Sequence, residues 1–218
     1  MKRLKNADGK YILEAMVSGI QKNKEYLSEI DGLIGDGDHG VNMNKGFTVF
    51  QERCLGEDIS FVQGLEELSS ILFNEIGGSM GPIYGTIFSG MADAGRGYKE
   101  LGIHEFYKML ENGYKELTEI IEAQPGDKTI VDAYYPAVKA LHESECAGED
   151  FQTALEKMKT AAEEGKERTK EMKAKFGRSS RLGDRSIGVL DAGAASWCIL
   201  LESMTDAIIG LLKEEGKK

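Results

Sequence analysis

Apolar residues recur along almost the whole chain at intervals of three and four positions, which is the spacing of an amphipathic helix. The first such pattern covers residues 11–30. Its apolar face consists of Tyr11, Ile12, Ala15, Met16, Ile20, Leu27 and Ile30. Further patterns lie at about residues 41–54, 61–76, 83–98, 104–122, 129–142, 150–175 and 192–213. Strand-like alternation is hardly seen, so the sequence predicts an all-α barrel or bundle of eight antiparallel helices.

The length of the chain favours one domain. With 218 residues and 41% hydrophobic content, the chain can bury one substantial core, and no low-complexity linker divides it. We therefore expect residues 1–218 to form a single domain. Pro82 and Pro125 lie near predicted loops or helix starts, whereas Pro136 falls inside a predicted helix and favours a kink there.

Glycine-rich loops follow every second predicted helix. They lie at residues 31–40, 77–82, 123–128 and 177–191. In an up-and-down bundle, alternate connections emerge at the same end. The four loops are therefore expected to converge and to form one site from segments that are distant in sequence.

Composition limits the partners and the compartment. The formal net charge is −10, with 37 acidic and 27 basic residues, which argues against nucleic acid or an anionic membrane as a partner. Cys54, Cys146 and Cys198 lack the spacing of a disulfide framework or metal site, and the N-terminus lacks a signal-peptide pattern. No apolar run approaches the roughly 20 residues of a membrane span. We expect a cytoplasmic protein.

The first loop concentrates three carboxylates, those of Asp31, Asp36 and Asp38. Carboxylate oxygens suit Mg²⁺ in phosphoryl-transfer sites, where the metal also binds substrate phosphates. Three glycines are expected to let the backbone bend between these ligands, namely Gly35, Gly37 and Gly40. The stretch therefore predicts a metal site, and the alternative is an Asp-rich turn that caps the following helix.

Three other motifs fail on spacing in this stretch. Residues 35–40 fit G-x-G-x-x-G, but that dinucleotide motif needs an apolar strand before it, and residues 28–34 do not supply one. An EF-hand that begins at Asp36 would place Phe47 where a bidentate glutamate belongs. A P-loop needs Gly-Lys-Ser/Thr, which the chain lacks.

The second and third loops add weaker signals. Residues 77–86 are typical of a helix-entry turn that offers backbone N–H groups to phosphate oxygens, with Ser79 as a hydroxyl donor. Close helix packing through small residues is the alternative. Residues 125–129 predict a turn and a helix start, with Asp127 as the N-cap.

The fourth loop carries Arg178, Arg181 and Arg185 in an otherwise acidic protein. Arginine can clamp a phosphoryl group and stabilise charge on its oxygens, although exposure to solvent is the alternative for each residue. His39 lies beside the carboxylates and could donate to a phosphate. The remaining candidates are expected to be structural or exposed (His104 and His142) or to belong to the core (Trp197 and Cys198).

Together the four loops resemble the nucleotide-binding, L-type subunit of dihydroxyacetone kinase. The matching motifs are Gly-Asp-Gly-Asp-His-Gly at 35–40, Gly-Gly-x-x-Gly-Pro-x-Tyr-Gly-Thr at 77–86, Pro-Gly-Asp-Lys-Thr at 125–129, and Gly-Arg-x-Ser through Arg-Ser-Ile-Gly to Asp-x-Gly at 177–193. The resemblance implies an eight-helix barrel that binds ADP or ATP across the loops through two Mg²⁺ ions. The implied metal ligands are Asp31, Asp36 and Asp38, and the implied catalytic residues are Asp36, Asp38 and Arg178. The implied nucleotide contacts are His39, Asn42, Gly78, Ser79, Gly126, Thr129, Arg178, Asp191 and Gly193.

The resemblance further implies a phosphotransferase of the glycerone kinase type that works within a complex. A separate K-type subunit would hold the ketone, and a phosphohistidine carrier, the M-type subunit, would rephosphorylate bound ADP in place. Fused relatives use exchangeable ATP instead. Met80 and Ala192 depart from the family pattern, which suits a paralogue for another ketose such as erythrulose, or one with altered nucleotide handling. A regulatory module that binds nucleotide or Mg²⁺ and a purely structural helical module are the alternatives, and a homodimer is one open assembly.

Overall fold

Nine α-helices form a ring in the computed structural model, which describes residues 2–56 and 58–215. They are α1 (Gly9–Lys22), α2 (Lys24–Ile34), α3 (His39–Cys54), α4 (Phe61–Glu75), α5 (Met80–Gly95), α6 (Ile103–Ile120), α7 (Val131–Cys146), α8 (Phe151–Arg168) and α9 (Ala192–Glu215). Two short strands, β1 (Leu4–Lys5) and β2 (Glu100–Leu101), pair in antiparallel orientation. The predicted all-α class is confirmed.

The first predicted helix is two helices, so the expected number of eight is corrected to nine within the described residues. The break lies at Asn23, whose φ of −104° and ψ of 12° leave the helical region. The Asn23 side chain donates from Nδ2 to the carbonyl oxygen of Gly19 at 2.9 Å. Both α1 and α2 pack against α3 and α9, so together they fill one position of an eight-position ring.

Each helix packs against the next along the chain, and α9 closes the ring by packing against both α8 and α1. Aromatic side chains from alternate positions meet at its centre. Tyr134 of α7 lies 4.3 Å from Trp197 of α9 between ring centroids, and Phe88 of α5 lies 6.1 Å from the same tryptophan. Phe47 of α3 completes this group. Trp197 and Cys198 are both buried, as predicted.

Several helix ends differ from the sequence prediction. Helix α5 begins at Met80, three residues before the predicted start, because its glycine-rich first turn carries little apolar periodicity. Helix α8 ends at Arg168, and a 3-10 turn at Thr169–Glu171 follows it. Pro136 lies inside α7 without ending the helix.

The up-and-down order places four helix starts at one end of the ring. Helices α3, α5, α7 and α9 begin there, and α2, α4, α6 and α8 end there. The four glycine-rich loops consequently meet at this end, as their spacing predicts. We call it the cavity end.

One helix in the described part of the chain is long and apolar enough to cross a membrane by length and composition, namely α9 over Ala192–Glu214. The sequence expectation that no segment approaches this length is therefore wrong. In the most apolar 18-residue stretch of this helix, 67% is buried inside the protein. That burial is what the closing helix of a packed ring requires.

Candidate nucleotide and metal site

A cavity of about 630 Å³ opens at the cavity end, and all four loops contribute to its walls. Its polar lining comes mainly from the first loop and from the start of the fourth loop: Asp31, Asp36, Asp38, His39, Arg178 and Ser179. Its apolar lining includes Ile120, Ile121, Ala123 and Ile130 around the α6–α7 loop, Met80 and Ile83 at the start of α5, and Phe176 just before the fourth loop. A volume of this size, with one polar set and one apolar set, suits a small organic ligand that carries charged groups.

Three carboxylates lie close enough together to share a cation. One oxygen from each of Asp31, Asp36 and Asp38 falls within 4.8 Å of the others. Burial raises the pKa of Asp31, while N–H groups of His39 and Gly37 oppose that rise and the neighbouring carboxylates add to it. Oxygen ligands fit Mg²⁺ or another hard cation, and a bound cation would relieve the repulsion among them.

The glycines around these carboxylates have different tasks. Gly37 has a φ of +76°, so it supplies the left-handed turn that the sequence predicted. Gly40 instead lies inside α3, where an added Cβ would sit 2.0 Å from the carbonyl oxygen of Lys24. The expectation that Gly40 serves to bend the loop is therefore wrong, because this glycine allows α3 to pack closely on α2.

Arg178 extends from the fourth loop to the metal cluster. Its Nη1 lies 2.8 Å from Oδ2 of Asp36. Gly177 precedes it with a φ of +68°, which turns the chain at the start of the 3-10 segment Arg178–Ser186. Arg181 and Arg185 are exposed and do not line the cavity. For these two residues the alternative interpretation, a side chain that only faces solvent, therefore applies.

Helix starts supply further positive potential to the cavity. Ser79 stands at the N-cap of α5 without a side-chain capping bond, so its hydroxyl is available to a ligand. Residues at the starts of α3, α5 and α9 line the cavity, as do residues just before α7. Because unpaired N–H groups and the helix dipole favour anions at helix starts, this arrangement attracts negatively charged groups.

The third loop is organised by Asp132 rather than by Asp127. Oδ1 and Oδ2 of Asp132 accept the backbone N–H groups of Gly126 at 2.5 Å and Thr129 at 2.8 Å. Asp127 accepts from the N–H of Gln124 and pairs with Lys175, and these hydrogen bonds hold its pKa below the ordinary value. The prediction that Asp127 is an N-cap of the following helix is therefore wrong.

A buried lysine joins this loop to the fourth one. Lys128 is 1% exposed and has a φ of +61°, which is unusual for a residue other than glycine. Its Nζ donates to the carbonyl oxygens of Thr169 and Val189, which flank the arginine-bearing segment. Burial lowers the pKa of Lys128, although Asp191 and Asp132 act in the opposite direction. Lys128 thus fixes the base of the loop that carries Arg178.

Asp191 lies at the start of α9 and accepts the N–H of Ala194 at 2.7 Å. The residue keeps some exposure at the cavity wall, but its carboxyl group is enclosed by protein. This burial raises the pKa of Asp191 to about 7, while the hydrogen bond from Ala194 and the charge of Lys128 act against the rise.

His39 leads from the metal cluster into a buried hydrogen-bonded chain. Its Nε2 lies 2.8 Å from Oγ of Ser196, and that Oγ lies 2.5 Å from the hydroxyl of Tyr84. Burial lowers the pKa of His39 to about 4 and raises that of Tyr84, so both groups are neutral near pH 7.

The cavity brings together most of the residues predicted from sequence. Those that line it are Asp31, Asp36, Asp38, His39, Ser79, Thr129, Arg178, Asp191 and Gly193. Three predicted contacts do not line it: Asn42, Gly78 and Gly126. The sequence prediction missed Tyr84, Lys128, Asp132 and Ser196. Tyr84 and Lys128 lie inside the quoted motifs, whereas no signal in the sequence distinguishes Asp132 or Ser196.

The ring and the cavity define a helical domain with a polar, carboxylate-containing ligand site, and comparison with known proteins identifies its family. Residues 33–206 match the DAK2 domain. The chain belongs to the DAK2 domain family.

Two curated relatives cover most of their own length as well as most of this chain. The chain is 37% identical over 183 residues to the PEP-dependent dihydroxyacetone kinase, ADP-binding subunit DhaL of Escherichia coli K12, covering 83% of this chain and 86% of that one. It is 33% identical over 190 residues to the PTS-dependent dihydroxyacetone kinase, ADP-binding subunit DhaL of Lactococcus lactis, covering 87% and 91%.

A solved structure shares the fold. The dihydroxyacetone kinase of C. freundii in complex with AMP-PNP and Mg²⁺ matches with a TM-score of 0.69 at 19% identity, over 95% of this chain. This chain spans 35% of that longer protein.

Proposed function

We propose that this chain is the nucleotide-binding subunit of a dihydroxyacetone kinase, or of a kinase for a related small ketose. The observation that carries this proposal is the convergence of four loops on one cavity in which three carboxylates lie within 4.8 Å of one another beside Arg178. Curated relatives named as ADP-binding subunits support ADP as the nucleotide, and the AMP-PNP and Mg²⁺ complex of the structural relative supports a metal-bound form.

In this proposal Asp31, Asp36 and Asp38 hold the Mg²⁺ ions, two in number by family resemblance. The metal would neutralise phosphate charge and orient the terminal phosphoryl group. Ser79, His39 and the helix starts bind phosphate oxygens through donated hydrogen bonds. Arg178 stabilises charge on the phosphoryl oxygens during transfer, so catalysis by this chain is mainly positioning and electrostatic stabilisation.

The acceptor and the recharging step belong to other subunits in this proposal. A K-type subunit holds the ketone, and a phosphohistidine carrier returns a phosphoryl group to bound ADP in the cytoplasm. The names of the curated relatives, which specify PEP-dependent and PTS-dependent kinases, support this assignment. We also propose that the chain acts as a single domain, because α9 closes one ring against α1.

Calorimetric titration with ADP tests the metal and nucleotide assignment. We expect Asp36→Asn and Asp38→Asn each to weaken Mg²⁺-dependent ADP binding at least tenfold, because a neutral amide is a poorer ligand for a hard cation. Asp93→Asn is the matched control, since Asp93 is an exposed aspartate that pairs with Arg96 at the opposite end of α5. Wild-type affinity in both test variants would remove these residues from the metal site.

Nucleotide content tests the cofactor role of ADP. We expect protein dialysed with Mg²⁺ to retain ADP and protein dialysed with EDTA to lose it, because several contacts must break together when the metal holds the diphosphate. The content is measured after denaturation. Empty protein in both samples, together with repeated turnover of free ATP with a K-type partner, would instead support exchangeable ATP as the donor.

A further inference from the structure

We propose that Tyr84 and Ser196 are positioning residues that hold His39 as the tautomer with its proton on Nδ1. In this state the ring presents an N–H group to a phosphate oxygen in the cavity. The inference rests on the proposed function, since it assigns a phosphate as the acceptor. Neither Tyr84 nor Ser196 needs to touch the ligand, because both act through the imidazole.

The three side chains come from three helices and meet behind the metal cluster. His39 is the first residue of α3, Tyr84 lies one turn into α5, and Ser196 lies one turn into α9. Tyr84 is 2% exposed and Ser196 is fully buried. Because water does not reach the hydroxyl of Ser196, the protein itself must satisfy its hydrogen bonds.

The ring of His39 offers its two nitrogens to different surroundings. Nε2 lies 2.8 Å from Ser196 Oγ inside the protein. Nδ1 makes no hydrogen bond within residues 2–56 and 58–215, and His39 lines the cavity. Nδ1 is therefore the nitrogen that remains for a ligand.

The geometry of the hydroxyls favours a chain of donors that ends at Nε2. Tyr84 lies 2.5 Å from Ser196 Oγ but 3.3 Å from the carbonyl oxygen of Gly193, and we assign its proton to the shorter of these two contacts. Ser196 has one proton, and its acceptors are His39 Nε2 at 2.8 Å and the carbonyl oxygens of Ala192 at 3.0 Å and Gly193 at 3.2 Å. The shortest of these bonds goes to the imidazole.

The charges around the cavity select the same tautomer. A neutral imidazole has one N–H donor and one lone pair. In the ligand-free protein the carboxylates of Asp31, Asp36 and Asp38 repel a lone pair and attract an N–H group, and in the loaded site the oxygens of the bound phosphate act in the same direction. When Ser196 donates to Nε2, the ring proton stands on Nδ1, where this field favours it.

Nitrogen-15 NMR of the ligand-free protein reads the tautomer directly, because the protonated and bare nitrogens of a neutral imidazole resonate far apart. The chain has only three histidines, so His39→Gln identifies the signals of His39 by their loss. We expect Nδ1 to be the protonated nitrogen in the wild type. We expect Ser196→Ala and Tyr84→Phe to shift the population towards protonation at Nε2.

Binding measurements connect the tautomer to the ligand. We expect Ser196→Ala to weaken Mg²⁺-dependent ADP binding about tenfold, which corresponds to one hydrogen bond to a charged group. In a His39→Ala background the same change should have no further effect, because Ser196 acts through the ring. A role limited to folding would weaken binding equally in both backgrounds.

Two matched controls remove comparable hydroxyls elsewhere. Ser203 also lies on α9 and donates to a carbonyl one turn earlier, that of Ile199, at 2.7 Å. Tyr134 is buried and donates to the carbonyl of Leu110 at 2.9 Å. Ser203→Ala and Tyr134→Phe should leave both the His39 spectrum and ADP affinity unchanged.

The outcomes separate this inference from the proposed function. Protonation at Nε2 in the wild type, or an unchanged spectrum in both test variants, overturns the inference even if ADP binds. A shift of tautomer in a protein that binds no Mg²⁺-nucleotide supports the role of Tyr84 and Ser196 and overturns the proposed function, together with the phosphate as acceptor.

Discussion

At the scale of single residues, Arg178 and Asp36 form an ion pair of 2.8 Å in which the arginine side chain is 65% exposed. Exposed pairs of this kind contribute about 0–1 kcal/mol. The pair therefore orients the guanidinium beside the metal cluster without holding it strongly, and Arg178 remains available to a phosphoryl group.

We predict that Arg178→Ala slows phosphoryl transfer about 100-fold or more but weakens ground-state ADP binding less than about tenfold, because its guanidinium meets charge that develops during transfer. Single-turnover rates with a K-type partner and calorimetric affinities provide the two numbers. Arg181→Ala is the control from the same loop. An unchanged rate with weakened binding would assign Arg178 to anchoring alone.

Asp191 makes stability depend on pH. Burial raises its pKa from the ordinary value of 3.8 to about 7 in the folded protein, so the folded state binds more protons than the unfolded state between these values. The stability of the protein therefore falls as the pH rises through this window.

We predict that Asp191→Asn stabilises ligand-free protein at pH 8, by no more than about 4 kcal/mol, and that the gain disappears near pH 4. Urea unfolding at both pH values measures it. Asp206→Asn, at an exposed position of the same helix, should show no such dependence. A gain that is equal at both pH values would contradict the buried charge as its cause.

Ser196 and Asp132 show why the sequence gives only part of the site. The carboxylate loop and Arg178 could be predicted because charge and glycine spacing stand out locally. Ser196 stands among small residues of an apolar helix, and its contacts with Tyr84 and His39 span 112 and 157 positions. Such long-range contacts form only when the ring closes. The local sequence pattern around Ser196 therefore cannot predict them.

At the scale of elements, the contact between α2 and α3 fixes the metal loop. Gly40 lies where α3 crosses closest to α2, and an added Cβ would be 2.0 Å from the Lys24 carbonyl oxygen and 2.8 Å from the Ser28 amide nitrogen. Backbone atoms cannot move aside separately, so the whole start of α3 would have to shift.

We predict that Gly40→Ala lowers the free energy of unfolding by about 1–3 kcal/mol and weakens Mg²⁺-dependent ADP binding, because the start of α3 carries Asp38 and His39. Gly32→Ala is the matched control on α2, since a Cβ added at Gly32 would lie 3.8 Å from its nearest neighbour, the Cα of Gly37. Denaturant unfolding and calorimetry measure both effects. Wild-type binding by Gly40→Ala would show that the loop does not depend on this contact.

The helices themselves were largely predictable, and the break between α1 and α2 was not. Seven predicted segments correspond to α3 through α9 because their apolar periodicity ends near real helix ends. Across Asn23, however, Ile20 and Leu27 lie seven positions apart on the same face. The periodicity continues through the break, so the pattern could not reveal it.

At the scale of the whole molecule, the site exists only when the ring is closed. The residues that line the cavity come from positions between Asp31 and Gly193 in the sequence. Helix α9 begins directly after Asp191 and packs against α1. The spacing of the loops predicted this convergence, because alternate connections of an up-and-down ring share an end. An intact cavity therefore requires that nearly the entire chain has folded into the ring.

The contact between the first and last parts of the ring also lies at the end remote from the cavity. Lys2 donates from Nζ to the carbonyl oxygen of Leu212 at 2.9 Å, and the α7–α8 connection near Gly148 shares that remote end. The Lys2–Leu212 contact and the α7–α8 connection therefore lie at the same end of the ring. A circular permutant in which a linker joins the Lys2 region to the Leu212 region and the chain opens near Gly148 should bind Mg²⁺ and ADP as the parent does, and calorimetry of the permutant would then show that this ring requires no particular first helix.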